Sequence, residues 1–219
     1  VAEAGFLVVV PTVVDRKMEK RQNRANLTSR EFLFRSAFEL GRHPIGYEVQ
    51  KVLAAVDWFK KAYPALKAGV VGWGEGGMLA LYSAALDPRI DAACVSGYFG
   101  DRRRIWEGPI DRNVFGLLSE YGDAELAAML GGRRLVVDAN TGPEATFPGE
   151  GGAPAELRSP SPEAVRNEWS RTLGLLGQAP GNTFTLVHPG HSNHRISKAA
   201  LVDFAWALAP GVNVAAVAR

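Results

Sequence analysis

Apolar positions along the 219-residue chain fall into two kinds of run. Short continuous runs rich in β-branched side chains stand at residues 6–10 (Phe-Leu-Val-Val-Val, closed by Pro11), 68–72, 90–97, 134–140 and 183–189. Such runs predict strands covered on both faces. Between them the spacing changes to that of a helix. Over residues 47–62, Val49, Val52, Leu53, Val56 and Phe59 share one face, opposite Gln50, Lys51, Asp57 and Lys61, and Pro64 ends the run. Helices are also predicted over 78–86, near 111–130, over 163–177 with Ser161 as N-cap and Pro162 in the first turn, and over 197–208 with Ser197 as cap. Residues 15–31 are polar and predict a loop or short helix. Residues 141–162, rich in Gly, Pro, Ala and Glu, predict a long structureless loop.

Strand and helix alternate five times. That order predicts one α/β domain over residues 1–219, with a parallel sheet and helices on both faces. The chain opens with Val1-Ala2-Glu3-Ala4-Gly5 and runs straight into the 6–10 strand. It therefore reads as entering a fold whose first strands lie upstream.

Composition narrows the function classes. A net charge of +2 gives no field of one sign to hold nucleic acid. Arg102-Arg103-Arg104 reads as a solvated loop or helix end. No apolar run is long enough to span a membrane. Cys94 is the sole cysteine and lies in an apolar run, so it reads as a small core residue. No cofactor or metal is expected. Three of the four histidines fall in 188–194, but no cysteine or carboxylate pattern accompanies them.

Chemistry in such a sheet sits beyond the C-terminal ends of the strands. There the chain carries Gly72-Trp73-Gly74-Glu75-Gly76-Gly77. Gly72, Gly74 and Gly77 match a dinucleotide fingerprint, yet no acid stands at the end of the next strand, which closes on Ser96-Gly97-Tyr98. The same residues match a nucleophile elbow, G-x-Nuc-x-G, with Gly74 in the nucleophile's place and Gly72, Gly76 and Gly77 at the crowded flanks.

Upstream, Gly41-Arg42 and Gly46 precede a helix carrying Asp57-Trp58, with Asp57 standing 15 residues before Gly72. In this order the chain resembles α/β-hydrolases of the acetyl xylan esterase and dienelactone hydrolase kind. The resemblance implies an α/β-hydrolase fold and hydrolysis of a carboxylic ester, an acetyl ester on a carbohydrate among the options. It implies a small-molecule substrate and the chain order nucleophile, acid, histidine. Gly74 then holds the nucleophile position and the backbone N–H of Glu75 is one oxyanion donor. The acid is Glu144, with Asp138 as second choice, and the histidine is His191. Trp73 and His43 are implied as substrate-facing, while a structural ion pair is expected at Arg42.

Glycine supplies no nucleophile, so no acyl-enzyme can form at residue 74. Three explanations stand open: an engineered replacement, a pseudo-hydrolase that binds a ligand or partner, or chemistry by other groups, such as His191 and Glu144 acting on water.

Overall fold

The computed structural model describes residues 1–177, 181, 183–188 and 195–217. Its centre is a four-stranded parallel sheet, β3 (Gly69–Trp73), β4 (Ala92–Ser96), β5 (Arg134–Asp138) and β8 (Phe184–Val187), in that spatial order. Two small antiparallel hairpins flank it. One is β1 (Met18–Arg21) with β2 (Ala25–Thr28), and the other β6 (Ala145–Phe147) with β7 (Ala155–Leu157). The helices are α1 (Ser29–Glu39), α2 (Pro44–Ala62), α3 (Glu75–Leu86), the single turn α4 (Leu117–Glu120), α5 (Asp123–Ala128), α6 (Pro162–Leu176), α7 (Lys198–Leu208) and the terminal turn α8 (Val214–Val217).

Alternation along β4 and β5 divides the core. Ala93, Val95, Leu135 and Val137 point to the face covered by α2, α3, α5 and α6. Ala92, Cys94 and Val136 point to the other face, against Ala200 and Phe204 of α7. A period of two therefore serves two helical layers at once, which is why these runs read as continuously apolar. Cys94 is wholly buried, and burial pushes its thiol pKa up.

The caps expected from the sequence form. Ser161 Oγ accepts from Ala164 N at 3.1 Å and Ser197 Oγ from Ala200 N at 3.2 Å. A further cap lies at Thr28, whose Oγ1 accepts from Glu31 N at 3.0 Å and starts α1 inside the stretch expected to be a loop or short helix.

Three expectations need correction. Residues 6–10 form no strand. Leu7, Val8, Val9 and Val10 are exposed, because β3 pairs only with β4 among the described residues and no ladder partner stands beside this run. The helical region near 111–130 breaks into 3-10 turns at Ile105–Glu107 and Ile110–Arg112, followed by α4 and α5. Gly116 at φ 75° and Gly122 interrupt it. The 141–162 segment is an arm built on β6 and β7 rather than a structureless loop. Its tip docks on the first hairpin and on α1: Asn26 N of β2 donates to Glu150 O at 2.8 Å, and Ala153 N donates to Glu31 Oε1 of α1 at 2.8 Å.

Candidate active site

The turn from β3 into α3 has the form of a nucleophile elbow. Gly74 sits at φ 57°, ψ −117°, a backbone region that side chains rarely adopt. Its N–H donates to Ser96 O at 2.9 Å and its carbonyl accepts from Met78 N at 3.1 Å. A Cβ on Gly72 would meet the carbonyl carbon and oxygen of Gly76 at 2.1 Å, so β3 and α3 close to a distance only glycine permits. Gly77 is constrained too, with Ser96 O at 2.9 Å from its would-be Cβ. Gly76 has open space, so the crowding belongs to Gly72 and Gly77.

The position that a nucleophile would occupy is taken. A Cβ on Gly74 would meet Cδ and Cγ of Pro143 at 2.6 and 2.7 Å. Three contacts hold this first stretch of the arm in place. Trp73 Nε1 donates to Thr141 O at 2.7 Å, Gly142 N donates to Ser159 Oγ at 3.0 Å, and Gly97 lies so close to Gly142 that a Cβ would meet Gly142 Cα at 2.8 Å. Trp73, expected to face substrate, thus ties the arm down, and the Arg195 guanidinium lies 5.2 Å from its ring centre. Pro143 also obstructs the phosphate cradle that the dinucleotide reading would need at Gly74.

The carboxylates separate by environment. Asp138 is buried and takes Ser96 Oγ at 2.8 Å, Ser197 N at 2.9 Å and Ser197 Oγ at 2.8 Å. It therefore clamps β4, β5 and the start of α7. Glu144 is exposed, and its Oε1 accepts from Ser159 N at 3.3 Å. His191 lies outside the described residues.

His43 caps α2. Its Nδ1 accepts from Ile45 N at 3.2 Å and its Nε2 lies 3.2 Å from Asn113 O. That pattern assigns the proton to Nε2 and uses both ring nitrogens. Burial lowers its pKa. Both nitrogens are engaged within the fold, one capping α2 and the other against Asn113 O.

Beside the elbow lies a network absent from the sequence reading. Glu75, the first residue of α3, puts its side chain among arginines. Its Oε1 accepts from Arg16 Nη2 at 2.8 Å and Arg112 Nε at 2.6 Å, and Arg30 Nη2 stands 3.8 Å from its Oε2. Arg30, with no exposed side-chain surface, donates Nε to Asp111 Oδ2 at 2.8 Å and Nη1 and Nη2 to the Glu48 carboxylate at 2.7 and 2.8 Å. Arg16 forms a two-bond fork to Asp111 at 2.6 and 2.7 Å. Three cations meet three anions. Burial alone would raise the Glu75 pKa, but the charges of Arg112, Arg16 and Arg30 bring it down to about 2. The six residues come from five separate chain segments, so spacing carried no sign of them. The structural ion pairs expected at Arg42 belong to Arg30, and Arg42 is exposed. Arg102, expected to be solvated, instead pairs with buried Asp123 at 3.0 Å.

The backbone N–H of Glu75 stands at the N-terminus of α3, where the first donors of a helix have no intrahelical partner. What the site holds is thus an elbow backbone, a helix N-terminus and a buried ionic brace, with a proline ring over the central glycine.

Comparison with known proteins bears on the family and the fold. The model of the "Dienelactone hydrolase family" matches residues 1–113, just over half of the chain. Among solved structures, a Bacteroides fragilis protein provisionally assigned as an acetyl xylan esterase superposes with a TM-score of 0.51 at 15% identity. The match covers 74% of this chain and 40% of that one, so the chain spans well under half of the solved protein's length. No curated protein matches the sequence.

Proposed function

The chain belongs to the dienelactone hydrolase family, and from that premise we propose that it is a pseudo-hydrolase: an ester-hydrolase scaffold that forms no acyl-enzyme at its elbow and serves to bind a small molecule or partner. A lactone is a cyclic ester, so the family chemistry is attack on an ester carbonyl. That attack needs a nucleophilic atom at residue 74. Gly74 supplies none, and the observation that carries the reading is Pro143, whose ring fills the space a side chain there would need. The elbow backbone survives because Gly72 and Gly77 pack α3 onto the sheet, a role independent of catalysis.

Direct activation of water by Glu144 gains no support, since that carboxylate is exposed and engaged with Ser159 N. The ester class remains the chemistry that any ligand of this scaffold would resemble, with an acetyl ester of a carbohydrate as one candidate.

The test is turnover of a short-chain aryl ester by the unaltered protein, across neutral to mildly alkaline pH and at enzyme concentrations high enough to show a burst. The expected result is a rate equal to buffer with matched inert protein. Saturable turnover that a covalent serine or cysteine reagent leaves intact would point to water activation, and the pseudo-hydrolase reading would be abandoned.

A further inference from the structure

One edge of the central sheet carries main-chain groups without a ladder. Among the described residues β3 pairs with β4 alone. Gly74 N donates to Ser96 O at 2.9 Å on the β4 side. Main-chain groups of successive residues turn to opposite sides of a strand, so Gly72 and Val70 face β4 as well. The N–H and C=O groups of Gly69, Val71 and Trp73 then point out of the sheet. Val71 is 39% exposed.

The valine run at 6–10 passes along this same edge. Before it, the turn Ala2–Ala4 packs on α8, just beyond the end of α7, and that end lies at the start of β3, where Leu208 and Phe204 crowd Gly69. After it, Val14 N donates to Glu48 Oε1 of α2 at 2.9 Å, and Arg16 reaches Glu75, past the finish of β3, at 2.8 Å. α7 covers one face of the sheet and α2 the other, so the run crosses between them around the β3 edge, heading the same way as β3. Five residues in extended form span about 17 Å, enough for that path. Yet Leu7, Val8, Val9 and Val10 are all exposed, from 47 to 83%. A strand with one covered face would bury every second side chain, and none of these four is buried.

Two rows of main-chain donors and acceptors therefore stand along one edge without a ladder among the described residues. Apolar side chains alone would admit any apolar ligand. Alternating N–H and C=O groups call for one kind of occupant, another extended main chain. Its side chains would point by turns to the α2 side, where Val70 packs against the core, and to the α7 side, where Leu208 stands over Gly69. Both sides are apolar, so the occupant is apolar at successive positions rather than alternate ones.

We propose that this edge takes in a strand from a partner polypeptide: an extended segment rich in valine or isoleucine, lying between β3 and residues 6–10 and hydrogen-bonded to both. The proposal does not rest on the silence of Gly74.

Fluorescence anisotropy with a labelled peptide tests it. The peptide carries a valine run matched to the five residues of β3, between lysines that keep it soluble. Two companions have the same sequence with alternate amides N-methylated, one companion for each edge. Saturable binding of the parent is expected. Each companion should bind about tenfold more weakly or worse, because each loses hydrogen bonds on one side. Hydrogen exchange by NMR gives a second readout. In the free protein the Val71 and Trp73 amides should exchange fast and the Gly72 amide slowly, and the parent peptide should slow Val71 and Trp73. Absence of binding by the parent would overturn the proposal. So would a companion that binds as well as the parent, since only one ladder would then be in use. Val71 and Trp73 amides already protected in the free protein, by a second copy or by the run itself, would overturn it too. Ester turnover reads residue 74 and leaves both measurements as they are, so this proposal and the pseudo-hydrolase reading fail separately.

Discussion

Gly74 and Pro143 form a pair in which each explains the other. A serine at 74 would carry the strain of a left-handed backbone, about 1–3 kcal/mol. It would also meet two proline ring carbons well inside van der Waals contact, which adds roughly 1–3 kcal/mol of overpacking. Gly74→Ser should therefore lower unfolding free energy by about 2–6 kcal/mol in urea titration. Pro143 Cβ stands 4.0 Å from the same point, so Pro143→Ala removes the overlap and keeps the backbone. The double variant should recover the overpacking part, seen as a coupling above about 1 kcal/mol in a double-mutant cycle. Additivity of the two changes would show that Pro143 does not press on residue 74. At this scale the sequence was legible where backbone geometry alone decides, as at Gly72 and Gly74. It was silent on Pro143, because a contact between residues 74 and 143 has no local pattern.

Among the elements, α1 and the 141–162 arm are coupled through one side chain. Thr28 caps α1 by accepting from Glu31 N, and Glu31 in turn accepts from Ala153 N and from Arg35. Loss of the cap in Thr28→Ala should cost about 1 kcal/mol. Glu31→Ala should cost more, about 1–2 kcal/mol, because it strips a half-buried arm amide of its acceptor. Its particular signature is faster hydrogen exchange at 145–157 with little change in β4 and β5. Uniform acceleration across the sheet would mean that the arm is not a separate unit. The central strands and α2, α3, α6 and α7 were legible because their apolar spacing is set by two helical layers. The hairpins were not. The first turns through Gln22 and Asn23, both left-handed, and the second has strands of three residues, too short to show alternation. The run at 6–10 misled in the opposite direction. Its composition is that of a central strand, but a strand also needs a neighbour.

For the molecule as a whole, the buried charges predict how stability follows pH. Glu75 has a folded pKa of about 2, below its ordinary 4.5. Its contribution is complete above pH 4.5 and is lost as pH falls towards 2, about 3 kcal/mol in all. His43 is also lowered, by burial. Its neutral cap is complete above pH 6.5 and weakens as pH falls below that. Asp123 is raised by burial and opposes the trend, since its contribution declines as pH rises through the acid range. The expected net result is a melting temperature that falls in two stages on acidification, one beginning near 6.5 and a steeper one below 4.5. Glu75→Gln should flatten the second stage and His43→Asn the first. An unchanged lower stage in Glu75→Gln would assign it to other carboxylates.

The seat of Pro143 on Gly74 also bears on mutational paths. Any side chain introduced at residue 74 meets the proline ring, and moving the proline alone puts no new side chain at the elbow. The two positions therefore have to change together, so a screen of single substitutions would pass over variants that a library of paired substitutions would reach.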